Sequence, residues 1–143
     1  MKRKATAIWK GSGPEGSGTL TTQSGAFNEQ PYSARLRFQN EDGRAGTNPE
    51  ELIAAAHAGC FAMALSFQLT NAGFTAEELH TDAVITMKKE ESGWTIPASK
   101  LILKAKVPGI SHEQFMDLAA KAKAGCPVSR LLNADITLEA ELA

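Results

Sequence analysis

The chain has 143 residues, a formal net charge of −1, and is 43% hydrophobic and 22% charged. That is the size and balance of one ordinary globular domain with residues enough for a real core. The near-neutral charge gives no reason to expect nucleic acid or an anionic membrane as partner. Met1-Lys2-Arg3-Lys4 is basic, but Thr6, Lys10 and Gly11 stand where a signal peptide needs an apolar run. No stretch reads as approaching the roughly 18 apolar residues of a membrane span, so a cytoplasmic protein is expected.

The first 42 residues read as β-rich. Ala5, Ala7 and Trp9 alternate with polar neighbours, and two glycine- and serine-rich stretches, 11–14 and 16–18, supply turns. Thr19–Thr22 is a short strand. Tyr32–Phe38 reads as another, with Ala34, Leu36 and Phe38 on one face and Arg35 and Arg37 together on the other.

Thr47-Asn48-Pro49-Glu50-Glu51 then has the marks of a helix start: a Thr or Asn cap, proline in the first turn, and acids that suit the positive end of the helix. The spacing predicts a helix from about Pro49 to Asn71, ended by Ala72-Gly73. Apolar residues surround most of it, so burial on nearly all sides is expected. A hairpin follows, with strands over Asp82–Met87 and Ile96–Val107 around the turn Glu90–Gly93, and with Leu101, Leu103 and Ala105 on one face. Ser111-His112-Glu113-Gln114 opens a second helix that runs to Gly125. Cys126-Pro127 opens a short third helix, and Asp135–Ala140 is a final alternating strand. Hairpins with helices inserted between them make the class α+β.

There are two cysteines, too few for a disulfide scaffold. Cys60 lies mid-helix, where a thiol is commonly an inert small hydrophobe, and the helix dipole lends little there. To be a thiolate near neutral pH it needs a positive neighbour, which Arg35 or Arg37 can supply if they are not plain surface arginines. Cys126 follows Gly125 and precedes Pro127, so it sits at a helix N-terminus, where backbone N–H groups lower a thiol pKa; the alternative is a cysteine merely tolerated at a tight junction. His57 is one turn before Cys60 on the same helical face. His57, Cys60 and Cys126 make three potential zinc ligands, but no fourth stands at a usual spacing, and a hydrogen-bonded buried or interface histidine is the favoured reading of His57. His80 and His112 read as surface residues.

Glu50 and Cys60 are ten residues apart, roughly 15 Å along a continuous helix. Two copies of this helix packed antiparallel about a two-fold axis near Ala55 would set Glu50 of one level with Cys60 of the other. The small Ala54-Ala55-Ala56 run permits that approach, and a homodimer with composite sites is the resulting expectation.

Several segments then resemble the OsmC/Ohr family, most closely its OsmC branch. They are Gly46–Leu52 continuing through Ala56-His57-Ala58-Gly59-Cys60-Phe61, and Lys121-Ala122-Lys123-Ala124-Gly125-Cys126-Pro127-Val128-Ser129, with Ser24-Gly25 and Gln30-Pro31-Tyr32 upstream. The resemblance spans nearly the whole chain and implies one domain over residues 1–143. It implies an intertwined homodimer in which curved antiparallel sheets surround two long central helices.

It also implies the chemistry of a thiol-dependent peroxidase acting on organic hydroperoxides in oxidative and osmotic stress. Cys60 matches the peroxidatic and Cys126 the resolving cysteine. Arg37, with Arg35 as the alternative, matches the arginine that stabilises the thiolate, placed on the strand before the helix, and Glu50 the acid that orients it. Cys60 thiolate attacks the peroxide and becomes sulfenic acid, a Cys60–Cys126 disulfide follows, and an external lipoyl-type dithiol reduces it, with no bound cofactor. The Ohr branch tends to carry an aromatic residue where His57 stands, so His57 is expected to tune the pocket. Phe61, Met63, Phe67 and Met116 are candidates for an apolar entrance. Two other functions remain in view: a thiol–disulfide exchange protein without peroxide chemistry, and a binding protein with no catalysis.

Overall fold

The computed structural model describes all residues, 1–143. Contacts gather in two compact units, Met1–Leu52 and Ile53–Ala143.

The first unit is a three-stranded antiparallel sheet, β1 (Ala5–Lys10), β2 (Ser17–Thr22) and β3 (Gln30–Ser33), in that order. It corrects one expectation. Tyr32–Phe38 is not a strand: β3 ends at Ser33, and Ala34–Phe38 is a short helix, α1. The reason lies in the pairing and in one hydroxyl. Ser33 pairs with Ser17, the first residue of β2, so beyond it the chain has run off the end of its partner. Ser33 Oγ instead accepts the Leu36 N–H at 3.1 Å and caps a helix. Arg35 and Arg37, two apart on a helix, therefore do not share a face.

The long helix α2 (Pro49–Asn71) opens at the end of the first unit and continues through the second, with the bounds that the sequence suggested. Asn48 Oδ1 accepts the Glu51 N–H at 2.9 Å, which settles the cap on Asn48. At the other end Gly73 takes φ of 86°, its N–H bonds Thr70 O, and the Phe74 N–H bonds Leu69 O. This is a Schellman stop, and Phe74 closes it by packing on the core.

The second unit is a sheet with helices laid on it. Its strands are β4 (Glu78–Glu90), β5 (Gly93–Lys106) and β6 (Asp135–Leu142), with β5 central. The helices α3 (His112–Gly125) and α4 (Pro127–Leu131) connect β5 to β6. The hairpin strands are longer than expected because the 2-residue alternation persists past the segments that looked most apolar. A register shift between Thr86 and Lys88 falls opposite Pro97, before the β6 pairing starts at Ala98, so the ring interrupts neither ladder. A second correction concerns strand direction. β4 and β5 are antiparallel, but β6 runs parallel to β5, because a helical crossover, unlike a tight turn, returns the chain to the same end of the sheet.

The core is where β5 meets α2 and α3. Ser99, Leu101, Leu103 and Ala105 alternate onto the inner face of β5 and are all buried. Against them α2 sets His57, Phe61, Leu65 and Leu69, one residue every turn, and α3 adds Phe115, Leu118, Ala119 and Ala122. Here too an expectation is corrected: α2 is not buried on nearly all sides within the chain. Its opposite stripe is bare, with Met63 and Phe67 63% and 64% exposed. Phe61 is wholly buried core, so it does not line an entrance. The expectation that no segment reaches membrane-span length also needs correction. By length and composition α2 does so, at 23 residues and a mean hydropathy of 1.6, because Ser66, Gln68 and Thr70 dilute its apolar run only slightly.

Leu101 is fully buried at the centre of this seam. Leu101→Ala should cost about 2–5 kcal/mol of unfolding free energy in urea titration, and Ile102→Ala, on the outer face, much less.

Candidate active site

Two clusters hold the residues singled out above, one in each unit. In the first, Arg37 on α1 and Glu50 in the first turn of α2 form a two-pronged ion pair. Arg37 Nη2 donates to Glu50 Oε1 at 2.6 Å and Nε to Oε2 at 3.2 Å. The fork fixes the guanidinium plane, which a lysine could not do. Glu50 is the better buried partner, with 12% of its side chain exposed. Of the two candidate arginines it is Arg37 that meets Glu50. Arg37 also lies 5.1 Å from the Phe38 ring centroid. Beside the pair is a cavity of about 220 Å³ lined by Trp9, Tyr32, Ala34, Phe38 and Pro49, with the Trp9 and Tyr32 rings 5.3 Å apart. Such a wall suits an apolar group held next to a cation. The sequence reading missed it, although Trp9 and Tyr32 were visible as the aromatic positions of two short strands.

In the second unit the cysteines meet. Cys60 on α2 and Cys126, the N-cap residue of α4, are both free thiols with their sulfurs 3.1 Å apart. A disulfide needs about 2.05 Å, so closure requires the sulfurs to approach by about 1 Å. Their exposure differs. Cys126 is completely buried, whereas Cys60 is only half-buried and can meet a solute.

Their acidities differ in the opposite sense. Burial, and then the hydrogen bond with Cys126, push the Cys60 thiol up, against one backbone N–H from Val128. Burial also opposes ionisation of Cys126. The Ser129 N–H, the Cys60 thiol, the Ser129 hydroxyl and the Val128 N–H nevertheless bring it below the ordinary cysteine value. No cation is among the groups acting on either thiol. The pair as it stands therefore favours charge on Cys126, and a Cys60 thiolate requires a positive group to be brought to it.

His57 is fully buried one turn before Cys60, with both ring nitrogens engaged. Nδ1 is 2.7 Å from Ser99 Oγ and Nε2 is 2.8 Å from Ser129 Oγ. Burial lowers its pKa, so the ring is neutral at pH 7. The favoured reading of His57 as a hydrogen-bonded buried residue agrees with this geometry. Its two serine partners were missed. Ser99 was detectable as the one hydroxyl in phase with Leu101, Leu103 and Ala105, and Ser129 as the residue one helical turn after Cys126. His80, 3.5 Å from Asp82, and His112 are exposed, as expected. No cluster of three or more His, Cys, Asp or Glu residues suited to a metal is present.

A helix-on-sheet α+β fold that holds two reduced cysteines sulfur to sulfur defines a dithiol protein. The chain belongs to the OsmC family: the family model described as OsmC-like protein matches residues 40–141. It is 47% identical to peroxiredoxin OsmC of Escherichia coli strain K12 over 142 residues, covering 99% of this chain and 97% of the relative. It is 26% identical to the organic hydroperoxide resistance protein OhrB of Bacillus subtilis strain 168 over 125 residues, 87% of this chain and 88% of the relative. Two solved structures share the fold. The crystal structure of OhrB from B. subtilis superposes with a TM-score of 0.73 at 24% identity, covering 100% of this chain and 98% of that one. An OsmC-like protein of unknown function from Vibrio cholerae gives 0.78 at 17%, covering 99% of each.

The depressed pKa of His57 has a stability consequence. Below its ordinary value of 6.5 the unfolded chain binds a proton that the folded chain resists, so this contribution is complete above about pH 6.5 and is lost as pH falls toward the folded value. The urea midpoint of the wild type should drop between about pH 7.5 and 5.5 by more than that of His57→Gln, which cannot be protonated.

Proposed function

We propose that this protein is a peroxidase of stress defence that reduces organic hydroperoxides with Cys60 as the attacking thiolate and Cys126 as the resolving thiol. Family membership supports the peroxidase class, since relatives carry the names peroxiredoxin and organic hydroperoxide resistance protein. The observation that carries the cysteine assignment is the asymmetry of access. Two thiols lie 3.1 Å apart, and only Cys60 is reachable from solvent.

The cation that Cys60 lacks comes from a second copy of the chain. α2 is unbroken from Pro49 to Asn71, so ten residues put roughly 15 Å of helix between Glu50 and Cys60. Its bare stripe, Ala56, Gly59, Met63 and Phe67, is small or apolar at helical spacing. A helix apolar on every side and covered on only one calls for a partner. Packed antiparallel against its twin, α2 of one protomer brings the Arg37–Glu50 pair level with the thiols of the other.

Arg37 then holds Cys60 as thiolate and shifts the shared proton to Cys126. The thiolate attacks the outer peroxide oxygen, the O–O bond breaks, the alkoxide leaves as alcohol, and Cys60 becomes sulfenic acid. Arg37 stabilises the charge that develops on the leaving oxygen. Its aromatic cavity takes the organic part of the peroxide. Cys126 next displaces water from the sulfenic acid, and an external dithiol of the lipoyl type, in a reducing cytoplasm, restores both thiols without any bound cofactor.

Reduced protein mixed with cumene hydroperoxide and dihydrolipoamide should consume peroxide rapidly, and Cys60→Ser should abolish this. Equal, slow loss in both would remove the peroxidase reading. Arg37→Ala should fold normally and lose on the order of 10²–10³ in rate; retention of full activity would leave thiol–disulfide exchange as the better description. In sedimentation the wild type should be a dimer and Met63→Arg, on the bare stripe, a poorly active monomer. A monodisperse, fully active wild-type monomer would overturn the composite site.

A further inference from the structure

The cavity beside the Arg37–Glu50 pair is small, at about 220 Å³. Ordinary small-molecule pockets run to about 300–1,000 Å³. A second cavity of about 450 Å³ adjoins it within the same unit, lined by Gly13, Pro14, Glu15, Ala34, Phe38 and Gln39. Gly13, Ala34 and Phe38 belong to both walls. Gly13 has no side chain, and a Cβ built there meets nothing within 4 Å. Ala34 contributes one methyl. The Phe38 ring is therefore the one bulky side chain that the two chambers share.

Resting on the peroxidase reading above, we infer that Phe38 is a specificity-determining residue whose ring partitions the two chambers, so that the protein selects hydroperoxides with compact organic tails over those with long chains. Arg37 lines the first chamber and not the second. The peroxide group, drawn to the guanidinium, is anchored in the first, and a tail too long for it must pass Phe38 to be buried in the second. A methylene that cannot pass stays in water and adds nothing to binding. Burial of a very few methylenes is worth tenfold or more in kcat/KM.

The ring is held by the same cation. Phe38 is the last residue of α1, and its ring centroid lies 5.1 Å from the guanidinium carbon of Arg37, within cation–π range. Arg37 is itself fixed by the fork to Glu50. One arginine thus orients both the peroxide and the ring that limits its tail. Phe38 is 48% exposed and outside the core, so the fold does not rest on it. Glu15 puts a carboxylate on the wall of the second chamber, which disfavours a tail with an anionic end.

The test compares kcat/KM for cumene hydroperoxide and for a long-chain fatty ester hydroperoxide, a neutral tail chosen because of Glu15, in the full-length protein with dihydrolipoamide as reductant. The readout is the ratio of long to compact, since a loss of active protein or a disturbed Arg37 lowers both alike. The wild type should favour cumene hydroperoxide about tenfold or more. In Phe38→Ala the ratio should rise about tenfold, and in Phe38→Leu, which keeps part of the bulk, by less. Adding Gln39→Trp, which fills only the second chamber, to Phe38→Ala should return the ratio toward the wild-type value. A wild type that reduces both substrates equally well, or a ratio unmoved in Phe38→Ala and Phe38→Leu, overturns the partition alone. A wild type that reduces neither substrate overturns the peroxidase reading and the partition with it.

Discussion

The second unit of this protein depends on one seam, the packing of the α2 stripe His57, Phe61, Leu65 and Leu69 against the inner row of β5, Ser99, Leu101, Leu103 and Ala105. Both rows are set by period. A residue every fourth position stays near one side of a helix, and every second position stays on one face of a strand. Over most of its length the seam is apolar, and its worth is the water it excludes. At one end it changes character. There the stripe continues as a histidine and the strand row as a serine, and they bond to each other. A polar pair this deep is tolerable only when each group is satisfied, which Ser99 and Ser129 accomplish for both ring nitrogens.

That polar end positions the thiols. Cys60 lies one turn beyond His57 on the same helix. Cys126 caps α4, whose Ser129 is held by His57. The core that stabilises the sheet thus also sets the sulfur-to-sulfur distance, which makes the thiol pair preorganised rather than assembled by a loop. The same construction explains why burial raises Cys60. A helix pressed on a sheet supplies desolvation but no cation, since its flanking strand β5 turns its lysines outward.

The first unit has the complementary stock: a cation fixed by a bidentate carboxylate, next to an aromatic cavity, and no thiol. An arginine so held keeps its charge and its plane. Neither cluster suffices alone for the proposed reaction, and the bare stripe of α2 gives a physical reason for two copies of the chain to complete each other. Oligomerisation and catalysis would then rest on one surface, so a substitution on that stripe would act on both.

Much was legible in the residues. Asn48-Pro49-Glu50-Glu51 and Ala72-Gly73 fixed both ends of α2, because caps and stops are local chemistry that acts within a few residues. Alternation along β5 named its buried face, and the two cysteine-bearing segments identified the family. Tertiary structure decided the rest. Arg37 left its expected strand because beyond Ser33 no residue of β2 is left to pair with, a fact about where β2 begins. The direction of β6 was set by the helical crossover and not by its own alternation, which is the same for either direction. Nothing in the chain between two cysteines 66 positions apart specified a 3.1 Å approach of their sulfurs, or that a serine on β5 and another on α4 would clasp one imidazole. Local sequence sets the period and the ends of elements; which distant groups meet is settled only when their faces pack.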